Sequence, residues 1–276
     1  MPVRQRKHFC ELSPLCYEIS WKKEICKRHM KNFFSRDRIA KGIDKTPLPC
    51  VAFEKTSYLI KKGKDIDPVL QHNKAKNIAL AAAKLNGLLI HPGEVFSFWG
   101  TIGSVTKRKG YLDGRVLQGG KLIAGIGGGL CNLANTLHVM VLHTPLTVTE
   151  FHKHSDALAP DEGKRVPFSS GTSVGYNQLD YRFRNDTDQT VQLLASCENE
   201  YLHMELRCEH PFDECYEIFE EGHHFEKQGD SYYRISKIYR RVTSRETGEH
   251  LRDELLLDNR SKVMYDPALI PSDQLR

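Results

Sequence analysis

The run Gly127-Gly128-Gly129-Leu130-Cys131, with the stretch that follows it, constrains this chain more than any other segment. Consecutive glycines let the backbone take positive φ and approach another group closely. Leu133, Leu137, Met140 and Val141 then recur at i, i+4, i+7 and i+8, one face of a helix. His143-Thr144-Pro145 stops that helix, because proline cannot continue it and disfavours α geometry just before itself. Directly afterwards the period changes from about 3.6 to about 2, so that Leu146, Val148, Glu150, His152 and His154 share one strand face if the strand stays regular that far. Cys131 falls at or next to the helix N-terminus, where unpaired N–H groups and the positive dipole end favour a thiolate. Two readings stand side by side: a nucleophile, and an ordinary buried thiol at a loop-to-helix junction.

The rest of the chain divides around this junction. Ser13-Pro14 reads as an N-cap with a first-turn proline, and Leu15, Ile19, Cys26, Met30 and Phe33 continue at helical spacing, predicting a helix over 14–34. A short strand is expected near Cys50–Phe53. A second helix carries Ala75, Ile78, Ala79, Ala82 and Leu85, with Asn86-Gly87 at its end. Residues 88–99 read as strand, turn, strand, and 107–120 as a basic, glycine-punctuated surface loop. A polar loop covers about 156–172. Over 178–184 Leu179, Tyr181 and Phe183 alternate with Asp180, Arg182 and Arg184. Residues 190–195 and 201–208 form a strand pair. The tail from 209 carries hairpin signals at Gln228-Gly229-Asp230 and Thr247-Gly248.

Charge enters through the excess of 40 Lys+Arg over 35 Asp+Glu, concentrated in the first 64 residues. A solvated basic surface accounts for it, and no nucleic-acid partner is inferred. No run approaches the ~18 apolar residues of a membrane span, and the N-terminus has no uninterrupted apolar stretch of the signal-peptide kind. The expected location is cytoplasmic, and the eight cysteines are expected as thiols. The Cys10, Cys16, Cys26 set and the His203, Cys208, His210, Cys215 set both lack common zinc spacing, so no metal or cofactor is expected.

The segments NIALAAAKLNGLLIHPGEVFSFW (77–99), GGGLCNLANTL (127–137), LHTPLTVTEFHKHS (142–155) and YNQLDYRFRNDTDQTVQLL (176–194) resemble the VanW family. The resemblance spans about residues 73 to 208, and it implies a link to glycopeptide resistance and cell-wall metabolism without giving a reaction. Many members carry Gln directly after the cysteine. This chain has Asn132, one methylene shorter, which shortens the reach of any amide donor toward an oxyanion.

The order of a cysteine opening a helix, a strand ending in His and a strand carrying Asp resembles transglutaminase-like and papain-like cysteine enzymes. That order points to Cys131 as nucleophile, His154 as its imidazole partner and Asp180 as the carboxylate fixing the tautomer. His152 is an alternative base. Both histidines also read as surface side chains or, with Cys131, as metal ligands, and Asp180 as an ordinary outward carboxylate. Gly127, Gly128 and Gly129 are expected to support the site. Arg182, with Arg184, is read either as a bidentate grip on a substrate carboxylate or as a strand-surface arginine.

The expected architecture is α+β, with helices packed on a mainly antiparallel sheet. It divides into a helical, basic segment (1–72), a VanW-like domain (73–208) and a β-rich extension (209–276). Two functions fit: a cysteine-dependent acyl-transfer or amide-hydrolysing enzyme acting on a peptidoglycan-related peptide or precursor, and a non-catalytic module binding such a ligand or a partner protein.

Overall fold

The computed structural model describes residues 9, 12–60, 67–118, 121–153, 156–157, 172–176 and 179–276. Helix α1 (Pro14–Phe34) begins where Ser13-Pro14 predicts, with Cys16 N–H donating to Ser13 Oγ at 3.1 Å. Two edge strands follow, β1 (Arg38–Ile39) and β2 (Cys50–Tyr58). Asp67 caps α2 (Pro68–Leu85), which leads into β3 (Leu88–Ile90) and β4 (Glu94–Ser97).

Here the structure departs from the expected strand. Phe98 and Trp99 open a short helix, α3 (Phe98–Ile102), because Ser97 Oγ accepts from Gly100 N–H at 3.0 Å and starts a turn. The expected surface loop over 107–120 is instead a short turn followed by an antiparallel pair, β5 (Asp113–Gln118) and β6 (Lys121–Ile126). The Gly119-Gly120 dipeptide between apolar runs was the available hairpin signal.

Helix α4 (Leu130–Leu142) is followed by β7 (Thr147–Glu150), β8 (Asp156–Ala157) and β9 (Arg182–Arg184). The expected strand pair is present as β10 (Val191–Glu198) and β11 (Tyr201–Cys208). Three long strands close the chain: β12 (Glu214–Gln228), β13 (Ser231–Ser244) and β14 (His250–Val263). Gly229 and Gly248 take positive φ at their turns.

The strands form sheets in the orders β2-β11-β10-β3, β1-β4-β9-β7 and β12-β13-β14-β8, beside the β5-β6 pair. Nearly all pairings are antiparallel; β1-β4 and β14-β8 are parallel. The chain is thus α+β. Helices α2 and α4 pack together over the first sheet, where Ile78, Ala81, Leu85, Leu133, Leu137, Met140, Val141, Leu193 and Leu202 are wholly buried in one core. Each large aliphatic side chain there contributes roughly 1.5–3 kcal/mol. The segment before residue 73 is part of this construction, since β2 pairs with β11 and β1 with β4.

The second sheet has two unlike faces. On one, Phe96 and Phe183 stack at 4.8 Å and join the core. On the other, Ser97 lies opposite Arg182, and α1 covers them.

Candidate functional site

The glycine run is built as predicted. Gly127 has φ 75° and Gly129, the N-cap of α4, has φ 101°. Gly128 keeps an ordinary φ but lies so close to β5 that a Cβ there would stand 2.2 Å from the Gly114 carbonyl carbon. Asn77 clamps the turn from α2, its Nδ2 donating to Gly128 O and to Leu112 O, each at 3.0 Å.

Cys131 therefore sits in the first turn of α4, on a half-buried face with Asn132 and Asn135. Its thiol is not depressed. Burial pushes its pKa up, and backbone contacts offset this only in part. The partner is a carbonyl: Sγ donates to Val174 O at 3.7 Å, an arrangement that holds the proton on sulfur. Desolvation thus outweighs the helix position and the backbone hydrogen bonds. The amide oxygens of Asn132 and Asn135 are buried without a hydrogen-bond partner among the described residues.

His154, the predicted imidazole, lies outside the described residues. Among those described, no hydrogen bond joins Cys131 to a histidine. His152 turns elsewhere, its Nε2 meeting Glu150 Oε1 at 2.9 Å.

Asp180 is neither outward nor bonded to a described imidazole. It is buried, and its oxygens accept from Trp99 N–H at 3.0 Å, Tyr181 N–H at 3.0 Å, Ser97 Oγ at 2.6 Å and Arg182 Nε at 2.7 Å. Arg182 is buried with it. Its Nη2 donates to Asn32 Oδ1 at 2.6 Å and its Nη1 to Asp37 at 3.3 Å. Neither reading of Arg182, as a grip on a substrate carboxylate or as a surface arginine, describes an arginine so fully engaged inside the protein. Arg184 is exposed and pairs with Asp186.

One residue sequence reasoning missed completes this network. A bulge between Val148 and Glu150 places Glu150 opposite Arg182, while Val148 stays opposite the core residue Phe183. Alternation alone would have kept Glu150 on the face of Val148. On the polar face Glu150 takes both forks of Arg28 from α1, Nη1 at 2.7 Å and Nη2 closer still. Burial raises the Glu150 carboxyl, but the bonds from Arg28 and His152 more than reverse this, and it ends at about 2.

Residues 172–176 connect the two places. Val174 meets Cys131, while the Tyr176 ring lies edge-on to Trp99 at 5.5 Å. Beyond Trp99 a cleft of about 250 Å³ opens under α1, lined by Arg28, His29, Asn32, Trp99, Tyr176 and Asp180. A more apolar cavity of about 340 Å³ lies between α4 and the C-terminal sheet, next to His138, Phe151, Ile238 and Arg240, and touches none of the predicted site residues that are described.

Fold and site together define an α+β domain in which a glycine turn presents a cysteine-headed helix beside a buried carboxylate–arginine network. The family model described as "VanW like protein" matches residues 73–207, which contain the glycine turn, Cys131, Glu150, Asp180 and Arg182. The chain is 31% identical over 226 residues, 82% of its length and 82% of the relative's, to the vancomycin B-type resistance protein VanW of Enterococcus faecalis. It is 28% identical over 123 residues to the uncharacterized protein YoaR of Bacillus subtilis, a match covering 45% of this chain and 39% of that protein. No solved structure matches. The chain belongs to the VanW family.

Proposed function

We propose that this protein is a cytoplasmic, non-catalytic binding module for a peptidoglycan-related peptide or precursor, acting in glycopeptide resistance or cell-wall metabolism. The cell-wall context rests on the name of the Enterococcus faecalis relative. The binding reading rests on one observation: beside a thiol that keeps its proton, Asn132 and Asn135 hold buried amide oxygens with no donor among the described residues. A buried acceptor left unpaired costs about 1–3 kcal/mol, and a ligand rich in N–H and O–H groups would satisfy both. The Trp99–Tyr176 pair at the other end of residues 172–176 offers aromatic surface to the same kind of ligand.

Titration calorimetry with soluble muropeptides, with mass spectrometry of the mixture afterwards, tests this reading. Binding should survive Cys131→Ala, weaken in Asn132→Ala and Asn135→Ala, and leave the muropeptides chemically unchanged. Conversion of the muropeptide that disappears in Cys131→Ala would instead establish the cysteine-enzyme reading. Limiting iodoacetamide should modify the exposed Cys26 before Cys131; a Cys131 that reacts first would restore the thiolate.

A further inference from the structure

Most apolar residues of α1 do not face the protein; Trp21 and Ile25, on the side of Arg28, are half-buried. Phe33 is 82% exposed, Phe34 73%, Leu15 66%, Met30 55% and Ile19 49%. At about 100° per residue, Leu15, Ile19, Cys26, Met30 and Phe33 fall within about 60° of one another, forming a stripe along a helix about 31 Å long. Lys22 borders this stripe on one side, with Glu18 beyond it, and Lys23 and Lys27 border it on the other. Arg28 and Asn32 point the opposite way and tie the helix down onto Glu150 and Arg182. The stripe is therefore held facing outward by the same contacts that fasten α1 to the domain.

Exposed apolar side chains along a whole helix of this length are uncommon on an unpartnered protein surface. Lysines along both borders of an apolar stripe suit a helix lying in a lipid interface, with the apolar side chains among acyl chains and the ammonium groups snorkelling to the headgroups. Charge selects this occupant over a second copy of the chain. A two-fold pairing of α1 helices would bring the like-charged Lys22, Lys23 and Lys27 of the two copies together, whereas an anionic bilayer complements them. No helix among the described residues is long and apolar enough to cross a membrane. We propose that α1 is an interfacial helix docking this protein, by its outward stripe, on the surface of an anionic phospholipid bilayer.

Co-sedimentation of the full chain with vesicles of phosphatidylcholine mixed with phosphatidylglycerol, against phosphatidylcholine alone, tests the proposal. Binding should favour the anionic vesicles and weaken with salt. Replacing Ile19, Phe33 and Phe34 together by serine should lower the partition coefficient about ten-fold or more, because these side chains supply most of the inserted apolar area. Replacing Lys22, Lys23 and Lys27 together by glutamine should weaken anionic-vesicle binding to a similar extent, about ten-fold, and flatten its salt dependence. All substituted positions are exposed, so circular dichroism and the melting temperature should stay as in the parent protein. Equal binding to both vesicle types, or unchanged binding by the triple-serine variant, would overturn the proposal. So would a concentration-dependent dimer in sedimentation velocity that the triple-serine variant abolishes while the parent ignores vesicles.

Discussion

Helices α1 and α4 carry apolar stripes of similar spacing in the sequence, and the fold uses them in opposite ways. Leu133, Leu137, Met140 and Val141 of α4 are wholly buried, with α2 and the β2-β11-β10-β3 sheet packed around them. In α1 the stripe faces out, and the one buried residue is Arg28. One helix is held by hydrophobic burial, the other by a two-pronged ion pair with Glu150 and a hydrogen bond to Arg182. An apolar stripe states that a surface will be covered; it does not state by what.

The sharpest way to break the contrast is to truncate one residue in each stripe. Leu137→Ala should cost about 4 kcal/mol in urea denaturation, since it leaves a cavity in a packed core. Phe33→Ala should change stability by no more than about 0.5 kcal/mol. Similar losses from both would mean that the α1 stripe is also buried in solution.

Acid should affect the two helices in different pH ranges. His138 of α4 is buried, and its pKa falls from the ordinary 6.5 to about 4. The folded protein refuses a proton that the unfolded chain accepts, so stability is full above pH 6.5 and falls as the pH drops toward 4. The expected loss is about 3 kcal/mol, and His138→Asn should remove it from the pH dependence. The Glu150 carboxylate, at about 2 against an ordinary 4.5, keeps its contribution through that window and loses it only as the pH falls from 4.5 through 2. Denaturation followed at successive pH values, with hydrogen exchange of residues 14–34, separates the two.

Arg28→Ala should cost about 2 kcal/mol, less than the full cost of orphaning a buried charge, because Glu150 regains water once α1 lifts away. Protection of amides 14–34 against hydrogen exchange should drop while that of α4 stays. Gly129→Ala, at the head of α4, should cost about 1–2 kcal/mol, because its φ of 101° strains any other residue and its new Cβ meets the Lys74 side chain. A change much below this would mean that the glycine turn is not held as described.

Elements set by local chemistry were legible in advance. The N-cap of α1, the glycine turn ahead of α4, the β10-β11 pair and the C-terminal turns all depend on neighbours a few residues away, and all are where the sequence places them. The hairpin over 113–126 was also written locally, in Gly119-Gly120 between apolar runs, and was passed over as a basic loop.

The site was less legible for a physical reason. Asp180 stood out in the sequence, but as a partner for a histidine; two of its described partners, Ser97 and Trp99, come from strands and turns about 80 residues away. The Arg28–Glu150 pair spans 122 residues and needs a bulge that reverses the side-chain alternation of β7. The direction of the Cys131 pKa was missed for the same kind of reason, since helix position argued for a thiolate and the enclosure that overrides it belongs to the packed protein.

By itself, the sequence determined the α+β class, the helices at 14–34 and after Cys131, the backbone geometry of the glycine turn and the family to which the chain belongs. Those follow from short-range sterics, hydrogen bonding and periodicity. Only the tertiary structure decided that one apolar stripe would be buried and the other left facing out. It alone decided that a bulge would carry Glu150 to Arg28, and that Cys131 would keep its proton. Those outcomes depend on desolvation and on charges brought together from distant parts of the chain, and neither quantity exists until the chain has folded.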